Sequence, residues 1–182
     1  TPRFWTSAEL IDIIAAGCRD LWRDVVDLKA EHYLEVDDSH VSMGIDGTEL
    51  IGVPTDLHKV YLIEPRDISD NSDNRGIVFK PLEFNHPDFQ AARAQSATDP
   101  SNGVIYYAVT GQGAPVGAPR IRVAPKVSSV MNVTLIYVPT LGVLTAESNV
   151  PVPGEADNAL IAWTVAFARA KESEDRSPDA NW

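Results

Sequence analysis

Cysteine is almost missing from this chain. Cys18 stands alone among 182 residues, so no disulfide can form within the molecule and a reducing assembly compartment is expected. Long apolar runs are missing as well: none approaches the roughly 18 residues that read as a membrane span, and the opening TPRFWTSAEL has no hydrophobic signal core. Positive charge is scarce. Fifteen Lys and Arg face 26 Asp and Glu, for a net charge of −11. Such a surface repels nucleic acid and anionic membranes, because tight phosphate binding rests on clustered cations that release counterions. No segment repeats at a fixed period.

Chemistry-bearing motifs are equally thin. His32, His40, His58 and His86 lack metal-ligand spacing such as HExxH, and no cysteine pairs exist, so neither a metal nor a cofactor is expected. The stretch DISDNSDNRG (67–76) has the composition of a calcium loop but neither its register nor the closing Glu. It reads as a solvated loop. TGQGAPVGAP (110–119) is glycine-rich after a strand, yet it carries no Lys after the glycines and runs into prolines and another strand, which fits a hairpin loop and not a phosphate cradle. The carboxylate clusters ESED (172–175) and DD (37–38) lie in polar settings where no burial would tune a general acid. No nucleophile motif stands out, and the chain is not expected to be an enzyme.

What is present is a strong pattern at both ends. Thr6 and Glu9 have capping-box spacing, and Trp5 can staple on Leu10. Leu10, Ile14, Cys18, Leu21, Val25 and Leu28 then recur at steps of three and four, widened by Ile11 and Trp22. This predicts a helix from about Ser7 to His32, with Cys18 as a small core residue. Between Tyr33 and Val150 the pattern changes to short runs bounded by Gly, Pro, Asn and Asp. ELIGV (49–53), KVYLIE (59–64), GIVFK (76–80), VIYYAV (104–109), RIRVA (120–124) and VTLIYV (133–138) read as strands. HPDFQAARAQ (86–95) reads as one short helix with Pro just inside it. A last helix begins near Glu155, with acids at its start, Arg169 and Lys171 at its end, and a thin alanine flank that a second helix can approach.

The expected fold is therefore α+β. Residues 1–35 and 150–171 form a helical layer from the two ends of the chain, and 36–149 form an inserted antiparallel sheet or sandwich. Trp22 and Leu21 are expected to pack on Leu160, Ile161 and Phe167. Residues 172–182 form a loose acidic tail closing on Trp182, too polar to make an autonomous helix.

Taken in order, these features resemble the head-to-tail adaptor (connector or neck-ring) proteins of tailed bacteriophages and gene transfer agents, the tail tubular protein A-like group. The matching stretches are ELIDIIAAGCRDLWRDVVD, VPTDLHKVYLI, YYAVTGQG, IRVAP, LIYVPTLGVLT and VPVPGEADNALIAWTVAFARAKESED. VPTDL resembles the family's Leu-Pro-x-Asp-Phe turn before a strand, with Val53 and Leu57 in place of the usual Leu and aromatic residue. The similarity lies in the order and spacing of these segments along nearly the whole chain.

The resemblance implies a structural role in the virion neck, after assembly in the host cytoplasm. Family members form a ring, usually of twelve subunits, below the capsid portal, and present a lower face to a stopper or tail-nozzle protein. DNA passes through the channel without sequence-specific binding. The C-terminal segment docks on the portal, which makes Arg176, Pro178, Asn181 and Trp182 the expected partner-binding residues, with Trp182 filling a preformed pocket. Two other readings stand beside it: another tail-completion or baseplate component, and a carbohydrate-binding β module using Tyr106 or Tyr107, which as strand neighbours must point to opposite faces. An acidic hydrolase would need a buried carboxylate that no motif identifies.

Overall fold

A computed structural model describes residues 5–66, 76–95, 102–111, 118–127, 131–143, 145 and 154–175. The chain divides into two compact units, one made from Thr1–His32 with Leu141–Trp182 and the other from Tyr33–Thr140. The architecture is α+β, with helices at both ends of the chain and sheets between.

The first unit begins with helix α1, Ser7–Leu28. Its capping box is formed as the sequence predicts: the Glu9 backbone N–H donates to Thr6 Oγ1, and the Thr6 N–H donates to Glu9 Oε2 at 2.9 Å. The expected continuation to His32 is instead a separate 3-10 turn, Ala30–Tyr33. Helix α3, Asp157–Asp175, follows a 3-10 turn at Gly154–Ala156. It continues past Glu172, where the sequence suggested that helix would stop.

The two helices meet at Gly17. A Cβ placed there would stand 2.7 Å from Trp163 Cε3 and 3.0 Å from Leu160 Cδ1, so the missing side chain is what lets α3 approach. Cys18 is completely buried against Leu160, with Ile14, Leu21, Leu141 and Ala156 around them. Leu21 and Leu160 thus share a cluster as expected, but two other expectations fail. Ile161 and Phe167 are 61% and 52% exposed and do not belong to this cluster, because α3 presents Leu160 and not its neighbours to α1. Likewise the ends of the predicted apolar stripe stand in the open, with Leu28 84% exposed. The α1 side chains gathered around Leu160 are Ile14, Cys18 and Leu21, all in the middle of the helix.

The second unit is built on β8, Val133–Pro139. Its neighbours are β1, Glu35–Asp37, and β4, Leu57–Pro65, both antiparallel to it. Val133, Leu135 and Tyr137 alternate inward, as a strand with one apolar face must. Register shifts at Leu57/Lys59 and Val60/Leu62 break the alternation of β4 and leave Leu57 and Ile63 as its buried residues.

A second sheet contains β5, Gly76–Pro81, β6, Asn102–Thr110, and β7, Arg120–Ala124. Here one pairing departs from the antiparallel expectation: β5 and β6 run parallel. The physical reason is the helix between them, α2, Pro87–Arg93, since a parallel pair needs a crossover in place of a hairpin. α2 is capped by His86 with Pro87 just inside, and it seats Phe89 and Ala92 over Ala108 and Ala124. β6 and β7 are antiparallel with Thr110 opposite Arg120, so the glycine-rich stretch joins a hairpin as expected. Two short strands were not foreseen from the sequence, β1 and β2, Ser42–Met43. The latter pairs with β3, Leu50–Ile51, a shorter strand than predicted because Gly52 turns the chain at φ 75°.

The turn between β2 and β3 is bolted to the segment after β7. Gly47 has φ 62°, and a Cβ there would lie 1.9 Å from the Val127 carbonyl oxygen. The Val127 N–H donates to the Gly47 carbonyl at 2.9 Å. Gly47→Ala therefore carries the left-handed backbone penalty of about 1–3 kcal/mol before the overlap with Val127 is counted. Gly103→Ala, at an exposed strand position with nothing within 4 Å, is the matched control. Thermal melts should show Gly47→Ala losing several degrees while Gly103→Ala melts at or above the parent temperature; equal melting of the two variants would contradict the clamp.

Candidate functional site

The four residues expected to bind a partner, Arg176, Pro178, Asn181 and Trp182, lie outside the described residues. So do residues 67–75, which hold most of the DISDNSDNRG stretch. What the structure does place are three features of the β unit and one of the helical unit.

The first is a cluster of titratable side chains around β1 and β8. The Tyr137 hydroxyl donates to Glu35 Oε2 at 3.1 Å across the β1–β8 pairing. Burial, that hydrogen bond, and the nearby carboxylates of Asp56, Glu35 and Asp37 push its phenol well above the ordinary tyrosine range. At the end of β1, burial pushes the Asp37 carboxyl upward, but the N–H groups of Ser39 and His40 and the His40 ring outweigh it. The net result holds Asp37 below the usual carboxylate range. Its Oδ1 accepts from Ser39 N at 3.1 Å and from His40 N at 3.0 Å, which makes it a turn-forming group.

The second feature is a coulombic link between the β2–β3 hairpin and β7. Glu49 bridges to Arg122, and Glu49 Oε2 stands 2.9 Å from Arg122 Nη1, close but without the alignment of a hydrogen bond. The Val123 N–H donates to the Thr48 carbonyl beside it. The pair fastens a turn whose corner carries Ile45, 96% exposed.

The third is a pocket of about 440 Å³. β4 contributes His58, Lys59 and Val60; Pro81, Leu82 and Glu83 close one side. Tyr107 and Val109 of β6 also line it, and burial raises the Tyr107 phenol. These residues come from three separated segments, and no single motif marks them in the sequence.

In the helical unit, Trp163 and Phe167 stack with ring centroids 4.9 Å apart at 10°. Ile161, Val165 and Phe167 leave much of α3 apolar and open. Cys18 sits in the core as expected; burial raises its thiol against the lowering effect of Arg19, so the thiolate is disfavoured.

The tyrosine pair resolves into two packing roles. Tyr107 is buried in the main β core, while Tyr106 packs on the α2 cluster. Among the described residues no polar or charged residue is fully buried, no three metal-ligating side chains converge, and no helix is long and apolar enough to cross a membrane.

Tyr137 gives a measurable pH dependence. An unfolded tyrosine ionises near pH 10, whereas the folded one keeps its proton to higher pH. Between the two values the native state binds the extra proton, so stability is full below about pH 10 and falls as pH rises. Urea midpoints should drop above about pH 10 in the parent, and Tyr137→Phe should flatten that drop; an equal alkaline slope in both would show that Tyr137 titrates normally. Set against known protein families and curated proteins, the chain matches no family model and no curated sequence.

Proposed function

We propose that this chain is a virion structural protein, a head-to-tail adaptor that forms a ring between the capsid portal and the stopper or tail nozzle, around the channel through which DNA passes. The observation that carries the reading is the order of the units. Helices from the two ends of the chain pack together, and a β unit is inserted between them. That is the order in which the stretches resembling the adaptor family occur. The VPTDL stretch also makes a turn leading into β4, with the Leu57 N–H donating to the Pro54 carbonyl.

The electrostatics agree with this role. A ring built from a chain of net charge −11 does not hold passing phosphates, since DNA binding rests on cation clusters. Exposed Ile161, Val165 and Phe167 suit a helix that becomes covered on assembly, because helices apolar on most sides are normally buried. Residues 176–182 supply the portal contact in this reading. Arg176, Pro178 and Asn181 set their path and Trp182 is the anchor.

Portal binding tests the reading. The full chain and a chain lacking residues 176–182 are titrated against the portal protein encoded with it. The truncated chain should melt as the parent does yet bind at least about tenfold more weakly, a difference of about 1.4 kcal/mol. Equal affinity would remove the tail anchor, and no complex by either chain would remove the adaptor reading.

A further inference from the structure

The β2–β3 turn and the pocket are built from different residues of the β unit. In the order β5–β6–β7, the turn is fastened to β7 through Glu49 and Arg122 and through Thr48 and Val123. The pocket lies where β4 faces the end of β5 and the segment that follows it, with Tyr107 and Val109 of β6 in its wall. A molecule carrying a projection and a recess formed by different residues can join copies of itself head to tail.

The projection is unusual for a turn. The Gly47 N–H donates to the Gly44 carbonyl at 2.8 Å, which places Ile45 and Asp46 at the two corners. Turn corners ordinarily hold Gly, Pro, Asn, Asp or Ser; here a β-branched apolar side chain stands 96% exposed. The Gly44 N–H donates to the Glu49 carbonyl, and the Val127 N–H to the Gly47 carbonyl. The corner is therefore held before any partner arrives, and docking it costs little further ordering.

The recess matches it in chemistry. Val60, Pro81, Leu82, Tyr107 and Val109 give it apolar walls, and Lys59 stands exposed on β4 beside His58. Neither Asp46 nor Lys59 has an ion-pair partner among the described residues. Glu83 also lines the pocket, so an incoming carboxylate is accommodated only along the β4 side. An Ile–Asp corner meets both demands: its methyl groups enter the apolar wall while its carboxylate faces Lys59.

We propose that the Ile45–Asp46 corner of one copy docks in the pocket of a second copy, giving a heterologous contact that repeats from subunit to subunit. It names the subunit contact of the ring and rests on that reading only for the closure of the ring. The occupant is a second copy because both halves of the match are on this chain: an exposed apolar residue beside a carboxylate at Ile45–Asp46, and an apolar recess beside the Lys59 ammonium.

Cross-linking between variants that each carry one added cysteine tests it without any portal, so that its failure and a failure of portal binding are told apart. The natural Cys18 is fully buried and silent. Ile45→Cys mixed with Val109→Cys under mild copper-phenanthroline oxidation should give heterodimers at least about fivefold above Ile45→Cys mixed with Val36→Cys, a pair at an exposed strand away from the pocket. A chain carrying both Ile45→Cys and Val109→Cys should give a ladder beyond the dimer. Adding Asp46→Lys to the first partner should cut the yield at least about fivefold, and Lys59→Asp in the second should restore it. Yields equal to the Val36 control, or a charge reversal that neither weakens nor is rescued, would overturn the contact.

Discussion

Two closures of the chain on itself govern this molecule. In the helical unit, the bare backbone at Gly17 lets Trp163 and Leu160 of α3 settle against α1, so that residues from opposite ends of the sequence share one core. In the β unit, β1 and β8 pair, with Glu35 opposite Tyr137, so that the first and last strands are hydrogen-bonded neighbours. An insertion with adjacent entry and exit strands can be carried by a two-helix unit without threading the chain through it. Each closure costs loop entropy; a small apolar cluster around Leu160 holds the first, and strand pairing with the Tyr137–Glu35 hydrogen bond holds the second.

From this follows a division of labour. The β core is apolar throughout, from Val133 and Leu135 on β8 to Ile121 and Val123 on β7, and its polar groups stand at the edges. Such an interior gives rigidity to what it displays. The corner at Ile45 is held by glycine geometry, backbone hydrogen bonds and the Glu49–Arg122 pair, all outside the core. The pocket opens where β4, broken by its register shifts, faces the end of β5. Among the described residues the chain displays an exposed apolar corner at Ile45 and an open helix face at Ile161, Val165 and Phe167.

Much of this was legible in the sequence, and the exceptions share a cause. The cap at Thr6 and Glu9, the short helix behind His86 and Pro87, and the strands at 104–109, 120–124 and 133–138 are local signals and lie where periodicity puts them. Periodicity shows which face of a helix is apolar but not how far its partner reaches, so Leu28 was expected inside and stands out. β1 and β2 span three and two residues, too short to show alternation, and exist because β8 and β3 lie beside them. The direction of β5 against β6 depends on the crossover through α2, a tertiary matter. The pocket gathers three segments that no spacing links. The Ile45 corner was in plain view in GIDGTE, where an apolar residue sits between turn-forming ones, but only the backbone shows it held in place.

The most direct test of the double closure is to express residues 33–140 alone and follow their unfolding in urea together with backbone amide exchange. If β1 and β8 close the unit on itself, the fragment unfolds in one cooperative transition, with the amides of Ile121, Leu135 and Val138, all fully buried, exchanging only through global unfolding. A fragment that is unfolded, or that exchanges these amides as fast as its surface, would show that the β unit depends on the helices and would contradict the account.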